Sequence, residues 1–132
     1  MKALLDTHVL LYWLLKDPRL ADKQEKVIQR ADPANPLWVP DISLWEVATL
    51  QSLGRIRLDL PLRDWLEAAV APPLVQRVAI SPAIAAEVAS LPDSFHRDPA
   101  DRLIVASARV MGATLLTSDQ KIIEADLVPT LS

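Results

Sequence analysis

The sequence predicts an α/β protein: a central parallel sheet flanked by helices on both faces. Three observations carry that expectation. Short apolar runs of strand length alternate with longer amphipathic stretches of helical length. The joints between them are short and marked by proline, aspartate and glycine, as in chains whose strands are linked by crossover helices. The chain has 132 residues, 51% of them apolar, so residues 1–132 are expected to form one domain with a sizeable core.

Taken in order, Lys2–Leu5 reads as a buried strand and His8–Leu15 as a helix stopped by Asp17-Pro18. Ala21–Ala31 is a charged amphipathic helix, Leu37–Val39 a short strand, and Ile42–Leu53 a helix closed by Gly54. Leu62–Ala71 is helical and ends before Pro72-Pro73, and Val75–Ile80 is a strand. Ser81-Pro82 caps a helix running to about Leu91, and Leu91–Arg97 is an ordered loop. Asp98-Pro99 opens a further helix that Gly112 closes. Thr114–Thr117 is a strand, followed by a short helix and a last strand around Val128.

Composition removes several classes of function. There is no cysteine, which excludes disulfides and thiolate zinc sites and suits a reducing cytoplasm, the expected location. Gly54 and Gly112 are the only glycines, so a Walker loop and a GxGxxG fingerprint are both absent. The apolar opening Met1–Leu15 is interrupted by Asp6 and His8 and is too short to span a bilayer, so no membrane association is expected. The net charge is −3, so a nucleic acid would have to be held by a local basic patch. Arg55, Arg57, Arg97, Arg102 and Lys121 are candidates for such contacts, although scattered arginines also suit an ordinary solvated surface.

Four acids stand out. Asp6 and Asp119 each end an apolar strand, where ligands bind in open α/β sheets. Glu46 lies in the apolar helical run Ile42–Ala48, and Asp101 opens the helix Asp101–Ala108. Each also has a structural reading: Asp6 and Asp119 as turn residues or helix caps, and Asp101 as a favourable first-turn charge. Ser43 and Glu46 fit a capping box, and Asp98 is a natural cap before Pro99. Spacing alone does not bring the four together. If they converge, two carboxylates about 5 Å apart repel by roughly 3 kcal/mol at an effective dielectric near 20. A hard divalent cation with oxygen ligands relieves that, and magnesium or manganese suits such a site better than zinc. The only histidines, His8 and His96, read as packing or loop residues. Trp13, Trp38, Trp45 and Trp65 read as core or partly buried, with a groove for a partner helix as the alternative for one or two of them.

Leu4–Trp13 resembles the opening of VapC-type PIN domains, and Ile42–Ala48 followed by Leu53-Gly-Arg-Ile resembles their second acidic motif. His96–Ala108 is similar to the third motif and Leu115–Asp119 to the fourth. The resemblance spans residue 3 to about 129, with four motifs in order. It implies a PIN-like fold and a ribonuclease that uses magnesium or manganese. It also implies a small antitoxin protein as partner, and a homodimer or a hetero-oligomer with that antitoxin. By position it implies Asp6, Glu46, Asp101 and Asp119 as the metal-binding acids, with Thr7 or Ser118 assisting through a metal-bound water. Leu50 departs from the lysine that similar sequences often carry there, which removes a phosphate contact from that position. A haloacid-dehalogenase-like phosphatase would need an aspartate where His8 stands, and a response-regulator receiver an acidic pair near that strand end. The alternative from another class is a PIN-fold module that binds RNA or protein without catalysis; its usual sign is a missing acid.

Overall fold

The computed structural model describes residues 1–132. Its five parallel strands are β1 (Ala3–Leu5), β2 (Leu37–Pro40), β3 (Val75–Val78), β4 (Thr114–Leu116) and β5 (Thr130–Leu131), in the spatial order β3-β2-β1-β4-β5. β1 is central, with Ala3 opposite Leu37 on one side and Thr114 on the other. Seven helices fill the connections: α1 (Thr7–Leu14), α2 (Asp22–Gln29), α3 (Asp41–Ser52), α4 (Leu62–Ala69), α5 (Pro82–Ser90), α6 (Pro99–Met111) and α7 (Gln120–Ala125).

All three residues of β1 are buried because both faces of the sheet are covered, as a parallel sheet requires. Successive strand side chains point to opposite faces, so β1 feeds two cores. Ala3 and Leu5 join Val9 and Leu10 of α1, Ile28 of α2, Val47 of α3 and Trp65 of α4. Leu4 joins Ile104 and Val105 of α6 and Ile122 of α7 on the other face.

Helix starts follow local chemistry. Asp6, Ser81, Asp98 and Asp119 each accept a backbone N–H from the first turn of the helix that follows, and Pro82 and Pro99 occupy first-turn positions that need no donor. Gly54 and Gly112 take the left-handed conformation after α3 and α6. Two expectations are corrected here. The helix carrying Glu46 begins at Asp41 after Pro40, so Ser43 and Glu46 lie inside it and form no capping box. The last strand pairs at Thr130 rather than around Val128, because Val128 is buried in the core and Pro129 contributes only its carbonyl, to Leu115 N. No helix is long and apolar enough to cross a membrane.

Candidate active site

The strand order reverses at β1: the chain leaves it toward β2 and β3 on one side, then returns to β4 and β5 on the other. Such a reversal opens a crevice at the carboxyl ends of the two strands, where loops diverge to opposite faces. Asp6 follows β1 and Asp119 lies three residues beyond β4, so both stand at this point. The Asp6 N–H donates to Leu116 O at 3.1 Å, joining the two strand ends.

Asp6 is only 5% exposed, and its Oδ1 accepts the Val9 N–H at 2.7 Å. Burial pushes its carboxyl above the usual range, against hydrogen bonds from Thr117 and Val9; the charge of Asp101 pushes it further. The buried Thr7 hydroxyl donates to Glu46 Oε1 and lies 2.9 Å from Ser43 Oγ, which ties α1 to α3. Glu46 is also raised, first by burial, then by Asp101 and Asp98, with the Thr7 hydrogen bond acting the other way.

Asp101 stands in the first turn of α6, and its Oδ2 is 2.6 Å from His96 Nε2. Burial raises its carboxyl as well, opposed by the His96 contact and reinforced by Asp98 and Asp119. Asp101 is therefore the electrostatic hub: Asp6 and Glu46 both sense it, and it senses Asp119. The four acids are linked only pairwise through Asp101, and no three acidic or imidazole groups are gathered closely enough to form a ready-made ligand cluster. Each carboxylate also carries a structural contact. Asp119 accepts Lys121 N at 2.9 Å, and Asp98 accepts Asp101 N at 3.0 Å as the α6 cap.

Of the assisting hydroxyls, Thr7 reaches Glu46, whereas Ser118 is exposed and accepts from Gln24 Nε2 at 3.3 Å. Thr117 stands beside Asp6 instead, and its Oγ1 accepts the Asp119 N–H at 3.1 Å, linking two of the acids. Neither Thr117 nor Ser43 is visible as a site residue in the sequence, because their partners are 111 and 36 residues away (117 − 6 and 43 − 7). His96 is more than a loop residue, given its contact with Asp101. Trp45 is 60% exposed and so is not a core residue, while Trp65 is buried. Arg102 is spent on the carbonyls of Phe95 and His96, leaving Arg55, Arg57, Arg97 and Lys121 as exposed cations.

Together these features define an open parallel α/β protein with acidic side chains beside its topological switch point. The chain belongs to the PIN domain family, whose description matches residues 3–127. It is 40% identical over 119 residues to Ribonuclease VapC22 of Mycobacterium tuberculosis (strain ATCC 25618 / H37Rv), covering 90% of this chain and 88% of that one. Among solved structures, VapBC-1 from nontypeable Haemophilus influenzae shares the fold with a TM-score of 0.72 at 15% identity, over 100% of this chain and 98% of that one. VapBC2 from Rickettsia felis, bound to a DNA fragment from its promoter, gives a TM-score of 0.71 at 17% identity, over 99% and 98% of the two chains.

Proposed function

We propose that the chain is a magnesium- or manganese-dependent ribonuclease and the toxin of a pair completed by a small antitoxin protein, its activity carried by one domain over residues 1–132. The observation that supports this reading is that Asp101 lies close enough to Asp6 and Glu46 for its charge to act on both, and that Asp119 acts on Asp101 in turn, beside the switch point of a PIN fold. Similarity to Ribonuclease VapC22 supports RNA as the substrate, and the fold shared with VapBC proteins supports the antitoxin.

The donor set fits a hard divalent ion: carboxylate oxygens only, in a chain without thiols. Three of the four acids are pushed toward protonation by burial and like charge, and a bound cation opposes both effects. Asp6, Glu46, Asp101 and Asp119 would hold the ion, which when bound makes water a usable nucleophile near neutral pH and offsets charge on the phosphodiester. Thr7, itself held by Ser43, orients Glu46, Thr117 orients Asp6, and Asp98 shapes the start of α6 without ligating. Arg97 and Lys121 lie next in sequence to the acidic segments and offer exposed cations to the RNA backbone.

Purified chain should cleave RNA with magnesium or manganese, stop in excess EDTA, and lose the activity in Asp6→Asn. In cells, expression alone should arrest growth, and Glu46→Gln should abolish the arrest. Full cleavage in EDTA by protein freed of contaminating nuclease would overturn the mechanism. Metal-independent RNA binding without cleavage would instead favour a non-catalytic module.

A further inference from the structure

We propose that His96 is a positioning residue for the carboxylate of Asp101 and that Arg102 holds the segment carrying it, an inference that rests on reading Asp101 as a metal ligand. A carboxylate on a short side chain can turn either oxygen toward a ligand, and its useful orientation must be set by something else. Here Asp101 Oδ2 lies 2.6 Å from His96 Nε2. An ionised carboxylate has no proton to give, so the imidazole N–H is the donor. That contact occupies Oδ2 and leaves Oδ1 for an ion.

His96 is itself fixed. Its ring packs at 4.5 Å and a 48° tilt against Phe95, which is buried. Arg102 Nη1 donates to Phe95 O at 3.1 Å and to His96 O at 3.4 Å, and its guanidinium lies 5.9 Å from the Phe95 ring centre. Arg102 follows Asp101 directly in α6. The proposed ligand and the clamp are thus neighbours in the first turn of α6, and both reach back to the donor in the loop before it. The His96–Asp101 pair is mostly shielded, with each side chain 22% exposed, so water competes weakly for the contact. Hydrogen-bond partners behind a metal ligand orient it, and losing one costs roughly 10–100-fold in metal affinity or activity.

The test is calorimetric titration of manganese into the parent, His96→Ala, His96→Gln, His96→Asn, Asp101→Asn and the His96→Ala/Asp101→Asn double variant, with metal-free melting curves alongside. Glutamine places an amide N–H about as far from the backbone as Nε2 but lacks the ring; asparagine is one bond too short. His96→Ala should weaken manganese binding about tenfold or more. Glutamine should restore most of that loss and asparagine should not. In the Asp101→Asn background, His96→Ala should change nothing further. If alanine prevents folding, the contrast between glutamine and asparagine still decides. Parental affinity in His96→Ala, glutamine no better than asparagine, or a further loss in the double variant would each overturn the assignment while leaving Asp101 a ligand. Manganese binding unaffected by Asp101→Asn would overturn the ligand reading and this inference with it.

Discussion

Asp98 and Asp101 share one helical turn but face different tasks, and substitution separates them. Asp98 is exposed and caps α6, a task asparagine performs nearly as well, so Asp98→Asn should keep both activity and stability. Asp98→Ala should lose about 1 kcal/mol, read by chemical denaturation. Asp101→Asn should be inactive yet at least as stable as the parent without metal, because it removes a half-buried charge that Asp98 and Asp119 oppose. An inactive Asp98→Asn beside an active Asp101→Asn would show that the ligand lies one helical turn earlier. The cap at Asp98 was legible in the Asp-Pro pair, since capping is local chemistry. The roles of Thr117 and His96 were not, because each is defined by a partner brought near through folding. Trp45 misled for a related reason. Ser43 and Val47 are buried on α3 while Trp45 faces solvent, so residue type alone gave the wrong side of the helix.

At the scale of elements, the alternation of strands and helices was readable because nearly every boundary carries its own signal. Two ends fell short of the signals that follow them: the helix after Pro61 ends at Ala69 rather than Ala71, ahead of Pro72-Pro73, and β3 ends at Val78 rather than Ile80, ahead of Ser81-Pro82. Gly112 offers the sharpest test of a stop signal. It ends α6 at φ +62°, two residues before β4, and a Cβ there would meet nothing within 4 Å. The cost of a side chain is therefore conformational rather than steric against neighbours. Gly112→Ala should lose about 1–2 kcal/mol, and Gly112→Asn less, since asparagine tolerates the left-handed region. Equal stability of alanine and glycine in denaturant melts would mean that the turn can relax.

For the molecule as a whole, the acidic crevice should make stability depend on metal. A cation that binds only the folded protein raises the melting temperature, and millimolar magnesium should do so here. The rise should shrink in Asp6→Asn; an unchanged melting temperature across that range would argue that the acids serve structure alone. The nearness of Asp101 to Asp6, Glu46 and Asp119 was the part that spacing could not supply, because it depends on strand order. The same strand order has a consequence for biosynthesis. β1 is the first strand made, but its two neighbours are completed only at residues 40 and 116. A chain emerging from the ribosome presents Asp6 well before Asp119, and the site cannot form around Asp6 until Asp119 has been added. A nuclease built in this order cannot bring its acids together until the segment carrying the last of them has been made.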